Sequence, residues 1–99
     1  MNTQTEILTF LHHNRQFLLD HYHVTKIGLF GSFARNEQKA SSDVDLLIEL
    51  EEGTDNIYDL KVSLKAFLSA AFNRSVDLAR EKYLKTYAKD QILKDTVYV

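Results

Sequence analysis

The sequence predicts an α/β (α+β) fold, a small mixed β-sheet packed with helices. Three observations lead there. Two apolar runs, KIGLF (26–30) and LLIEL (46–50), bracket a polar stretch in mid-chain. Two longer segments, 3–22 and 55–72, repeat their apolar residues close to every 3.6 positions, the helical period. A shorter run, SVDLA (75–79), follows the second of these segments. Helical and extended periods in alternation describe helices layered on a sheet. The directions of the strands relative to one another do not follow from these patterns.

The first segment is expected to be one helix over 3–22. Ile7, Leu11, Leu18 and Tyr22 mark its stripe, with Leu8, Phe10 and Phe17 at the flanks. Thr3 and Glu6 have the spacing of a capping box, in which each side chain satisfies a free N–H at the helix start. Such a stripe packs into a core. His12, His13, His21 and His23 invite a metal site, but no two of them stand four apart on a helical face. They are read as packing or solvent-facing residues.

The first strand is expected over Val24–Phe30, where β-branched Val24, Thr25 and Ile27 favour extended backbone. Gly31 then permits a tight turn or a close approach of ligand to backbone. A short helix is expected over 32–38, its first N–H groups pointing back over the strand end. KASS (39–42) is a polar connection, and Val44–Leu50 a second, central strand. A turn around Gly53 leads into the helix at 55–72. Its buried stripe is Ile57, Leu60, Leu64, Phe67, Leu68 and Ala71, and Asn73 stops it. A third strand at 75–79, a last helix at 83–94 and an extended end at 96–99 complete the order. The chain reads as a single domain over 1–99, without repeats or linkers.

Chemistry concentrates in the middle. Asp43 and Asp45 lie two apart, which on a strand puts both carboxylates on one face. Unpaired, they repel, and one tends to stay protonated. A divalent cation resolves that conflict. With oxygen donors only, and no cysteine in the chain, magnesium or manganese is the expected metal. Asp77 is the candidate third ligand. Its neighbours Val76 and Leu78 face the core and leave it on the opposite side. If its strand lies beside the second, all three aspartates converge. Two ions held this way stand ~3.5–4 Å apart, one serving the attacking hydroxyl and one the leaving pyrophosphate. Backbone N–H groups around Gly31 and Ser32, with the Ser32 hydroxyl, are candidates to hold the triphosphate. Asp77 is the expected general base toward the acceptor. Taken singly, each piece has an ordinary explanation. Gly-Ser makes turns, Asp-x-Asp occurs on surfaces, Asp77 has Arg74 and Arg80 nearby in sequence, and Arg35 has Glu37 and Glu49 as partners. The combination in this order gives the reading its force.

Gly31-Ser32, ten residues, then Asp43-Val44-Asp45 resembles the signature of the polymerase-β-like nucleotidyltransferase superfamily. The wider text IGLFGSFARNE…SSDVDLLIEL is similar to its small MNT (minimal nucleotidyltransferase) branch, and the likeness runs from about Tyr22 to the end. One departure is Asn36, where relatives often have glycine after Ala-Arg. Asparagine tolerates left-handed backbone, so the turn is expected to survive. The resemblance implies Mg²⁺ and a nucleoside triphosphate, usually ATP. It also implies a role as antitoxin: standalone MNT proteins pair with a HEPN-domain RNase toxin and transfer AMP to one of its tyrosines.

Composition bounds the rest. At 99 residues there is no room for a second domain to hold a nucleotide base and an acceptor. A protein acceptor, bringing its own wall, is therefore expected, in a hetero-oligomer. Net charge is −2, so no global basic field recruits nucleic acid, and direct nucleic-acid binding is not expected. No apolar run approaches the ~20 residues of a membrane span, and a soluble, cytoplasmic protein is expected. Two alternatives to catalysis on a protein remain: neutralisation of the partner by occlusion alone, and nucleotidyl transfer to a small molecule.

Overall fold

The computed structural model describes residues 1–99. In chain order the elements are α1 (Gln4–His13), α2 (Arg15–Tyr22), β1 (Val24–Phe30), α3 (Gly31–Ala34), β2 (Val44–Leu50), α4 (Ile57–Phe72), β3 (Val76–Ala79), α5 (Thr86–Asp95) and β4 (Val97–Tyr98). A 3₁₀ turn at Glu81–Tyr83 precedes α5. The four strands form one sheet in the order β3-β2-β1-β4. β1 is antiparallel to both β2 and β4, while β2 and β3 run parallel. The sheet is thus mixed, as expected. A parallel pair needs a crossover, and α4 supplies it.

One face of the sheet is fully covered. Val44, Leu46, Ile48 and Leu50 alternate along β2 into the main core with Ile27 and Leu29 of β1. Against them pack Ile7 and Leu11 of α1, Leu18 of α2, and Leu64, Leu68 and Phe72 of α4. The buried residues of α4 recur every four positions, so one stripe meets the sheet. The opposite face carries Lys26, Gly28, Asp45, Leu47, Glu49 and Asp77. It is covered only in part, by the 3₁₀ turn against β2 and by α5 against β1.

Three boundaries differ from the sequence reading. The expected single helix at 3–22 is two, broken at Asn14. There the Asn14 Nδ2 donates to the Phe10 carbonyl at 2.9 Å, alongside the Asn14 backbone N–H at 3.0 Å. A short amide side chain that bonds its own backbone competes with the helix ladder. The short helix at 32–38 is a single turn, Gly31–Ala34, because Asn36 is left-handed (φ 56°) and ends it. The last helix begins at Thr86 rather than at 83, since Glu81–Tyr83 winds as 3₁₀ and Leu84 and Lys85 are extended. Elsewhere the local signals hold. Thr3 and Glu6 form the capping box, and Asn73 closes α4 in the left-handed conformation at φ 54°.

Candidate active site

The site is assembled on the partly open face, where β1 ends and β2 begins. Gly31 follows β1 with φ +73°, a conformation that L side chains rarely adopt. A Cβ there would also strike the Asp45 carboxylate. Two independent constraints therefore require glycine at this position. Phe33, fully buried in the main cluster, pins the single turn of α3 to the core. Its free carbonyls are satisfied from α1: Gln4 Nε2 donates to Phe33 O at 3.2 Å and Ala34 O at 2.8 Å. Asn36 takes the positive φ that the turn demands, so its departure from glycine leaves the backbone intact.

β3 lies beside β2, and Asp45 and Asp77 are partners in that parallel register. Neighbouring strands stand ~4.8 Å apart, so the two side chains rise from adjacent positions on one face. Val76 is fully buried and Asp77 exposed, as the alternation requires. Asp43 precedes β2 by one residue and is exposed. Burial pushes the half-buried Asp45 carboxyl up to about 6, and the charges of Asp77 and then Asp43 push the same way. Arg35 opposes them weakly. The three carboxylates thus sense one another through Asp45.

No three His, Cys, Asp or Glu side chains close around a common point. Asp45 and Asp77 stand side by side on one face, with Asp43 one residue before β2. The donor set nevertheless suits a hard divalent cation: three carboxylates, no sulfur, and one of them disfavoured as a lone anion. None of the four histidines belongs to it.

Of the ion pairs the sequence suggested, Arg35–Glu37 forms and the others do not. Asp77 Oδ1 faces Lys65 Nζ of α4 at 4.0 Å, rather than Arg74 or Arg80. Arg35 pairs with Glu37 at 2.9 Å and reaches Asp95 at 3.4 Å, not Glu49. Glu49 instead stands 4.0 Å from Arg80. Arg74 has a role that sequence reasoning missed. Its Nη1 donates to the carbonyls of Ala40 and Ser42, both at 3.0 Å, and of Lys39 at 3.3 Å. Its Nε donates to Met1 O at 2.7 Å, and Nη2 to Asn2 Oδ1 at 2.9 Å. One guanidinium thus ties the polar segment before Asp43 to the start of the chain. The only signal in sequence was its place two residues before β3, which does not reveal carbonyls 32 to 35 positions away.

A mixed sheet with a Gly-Ser turn at one strand end and aspartates on the next two strands has the layout of a nucleotidyltransferase. The nucleotidyltransferase domain family matches residues 13–99. Protein adenylyltransferase MntA of Thermococcus cleftensis is 34% identical over 99 residues, spanning all of this chain and 98% of the relative. A solved structure provisionally described as a minimal nucleotidyltransferase superposes with TM-score 0.71 at 27% identity, covering 92% of this chain and 93% of that one. A toxin–antitoxin crystal structure with AMP-PNP superposes with TM-score 0.66 at 26% identity, covering 85% of this chain and 67% of that one. The chain belongs to the nucleotidyltransferase domain family, in its minimal MNT branch, and is an enzyme of that class.

Proposed function

We propose that this chain is an antitoxin that transfers AMP from ATP to a tyrosine hydroxyl of a HEPN-type toxin partner and so neutralises it. One observation supports this reading above others. Asp45 and Asp77 share a register position, with Asp45 against the Gly31 turn, on a face of the sheet that is only partly covered. That open face leaves room for a hydroxyl presented by another folded surface. The full-length match to a protein adenylyltransferase agrees with that.

In this reading Asp43, Asp45 and Asp77 hold magnesium ions, two of them, or manganese in their place. When bound, such ions offset the carboxylate charge and the charge that builds on the triphosphate. Gly31 leaves its backbone open to the triphosphate, and the Ser32 N–H and hydroxyl donate to phosphate oxygens. Asp77, with its side chain 63% exposed, is the aspartate that an incoming acceptor meets. The acceptor oxygen attacks the α-phosphorus while its proton passes to Asp77. The bond from the α-phosphorus to the bridging oxygen breaks, and pyrophosphate leaves with the electron pair. Orientation of the acceptor falls to the partner.

The test is co-expression with a HEPN-type protein, read by intact mass. The partner should gain one or more AMP units with the wild type and none with Asp43→Ala/Asp45→Ala, while the complex still forms. If the double variant neutralises the partner fully, the chain acts by occlusion instead. Comparable labelling of an aminoglycoside or of RNA ends would move the reading to another acceptor class.

A further inference from the structure

Beside Asp77 the molecule has a groove of about 250 Å³ that the nucleotide reading does not use. Tyr58, Lys61, Val62 and Lys65 of α4 form one side, and Asp77 and Leu78 of β3 the other. The four α4 positions are spaced i, i+3, i+4 and i+7, so they share one helical face. That face is not core. Tyr58 is 80% and Val62 53% exposed, so two large side chains of this face are open to solvent. β3 ends the sheet, so its outer edge has no partner strand. An unpaired edge offers backbone donors and acceptors to an extended peptide.

Position decides what the groove serves. Gly31 and Ser32 follow β1, two strands from β3 in the sheet order. At ~4.8 Å per strand the groove lies roughly 10 Å across the sheet from them. The triphosphate side and the groove therefore flank the aspartates from opposite directions. A transfer in line through the α-phosphorus brings the acceptor from the side away from the leaving pyrophosphate. The groove is on that side, and Lys65 already stands 4.0 Å from Asp77.

Resting on the adenylyltransferase reading, we infer that this groove receives the acceptor segment of the protein substrate, an extended stretch with acidic residues beside the modified hydroxyl. Lys61 and Lys65 supply the complementary charge. Tyr58 and Val62 supply an apolar floor for the residues between. The β3 edge fixes the backbone of the segment, which sets the hydroxyl over Asp77. Lys65 would exchange Asp77 for a carboxylate of the incoming segment, freeing Asp77 for the reaction.

Two measurements test this. In steady-state labelling of the partner, Lys61→Glu/Lys65→Glu should raise KM for the partner at least tenfold and leave KM for ATP within twofold. Lys61→Arg/Lys65→Arg should stay near wild type in both. An equal rise in KM for ATP would assign the lysines to the nucleotide, and an unchanged KM for the partner would remove them from recognition; either overturns the inference. The second measurement needs no catalysis. A pentapeptide with tyrosine between pairs of glutamates, titrated into the ¹⁵N-labelled chain, should shift the amide signals of 58–65 and 76–78. The lysine-flanked counterpart should not, nor should the acidic peptide act on the glutamate variant. Shifts located elsewhere, or equal for both peptides, overturn the inference, as do concentration-dependent shifts in the same signals without peptide, which would place a second copy of the chain there. Normal peptide shifts without AMP transfer would sink the adenylyltransferase reading and leave the groove standing.

Discussion

The β1–α3–β2 side of the site is tied down from several directions, whereas the β3–α4 side meets solvent along an unpaired strand edge. On the first side Phe33 is fully buried, which for a side chain of that size is worth ~1.5–3 kcal/mol. Gln4 caps the turn behind it, and Arg74 binds three carbonyls just before Asp43. On the second side Leu64, Leu68, Phe72 and Val76 hold α4 and β3 to the core, but at the site itself the side-chain tie is Lys65 to Asp77, two groups more than half exposed. Exposed pairs of that kind contribute roughly 0–1 kcal/mol. A nucleotide has one shape and rewards a rigid grip, while a protein acceptor must enter and leave. The difference in anchoring fits the division of labour that the proposed function assigns to the two sides.

Substitutions can break the contrast, and the greatest effect belongs to the rigid side. Asp43→Ala/Asp45→Ala should reduce AMP transfer by at least ~10²–10³-fold, the scale seen when charge-stabilising groups are lost. Quantitative labelling checks it, with complex formation as the control. Next comes Gly31→Ala. The φ of +73° and the collision with Asp45 act together, so the variant should lose ~1–2 kcal/mol of stability from the backbone alone. Transfer should fall as well, because the carboxylate is displaced. A variant of unchanged stability and activity would mean that the turn relaxes freely, and the rigid side would not be rigid.

Arg74→Met probes the tether rather than the chemistry. Losing charged hydrogen bonds to several carbonyls should cost about 2–3 kcal/mol in urea unfolding. KM for ATP should rise more than KM for the partner, since the loosened segment leads into Asp43. The smallest effect is electrostatic. The Asp45 carboxyl is raised from 3.8 to about 6 in the folded protein. Its protonated form therefore favours folding: that contribution is complete below about pH 4 and is lost as pH rises through about 6. In chelator, the melting temperature of the wild type should fall across this window relative to Asp45→Asn, which cannot ionise. A difference between the two that does not change from pH 4 to 8 would show that Asp45 is not crowded by burial and by its neighbours.

Much of this was legible in the residues. Thr3 and Glu6 declare a cap, Asn73 a stop, and Val76 and Leu78 the face on which Asp77 is left. These are effects between residues a few positions apart, and sterics and hydrogen bonding act there with little help from context. Asn36 shows the same: its tolerance of positive φ is a property of its own side chain. The break at Asn14 was missed because apolar spacing reads straight across it, and the periodicity of 3–22 says nothing about a side chain that bonds Phe10 O. Lys65 as partner of Asp77, and Asp95 as second partner of Arg35, were missed for another reason. Both are remote in sequence, and nearness along the chain had favoured Arg74 and Arg80 for Asp77, neither of which pairs with it.

The sequence by itself determined the order of helices and strands apart from the break at Asn14, the glycine at the turn, the acidic pair opening β2 and the family to which the chain belongs. Only the tertiary structure decided that β3 runs parallel beside β2, which sets Asp77 in register with Asp45. It also decided that Arg74 reaches back to the segment before Asp43, and that a cationic groove borders the outer edge. Local pattern reports which face a side chain takes, because that depends on backbone period alone. Which strands become neighbours depends on how whole apolar faces pack, a choice made by the core as a unit.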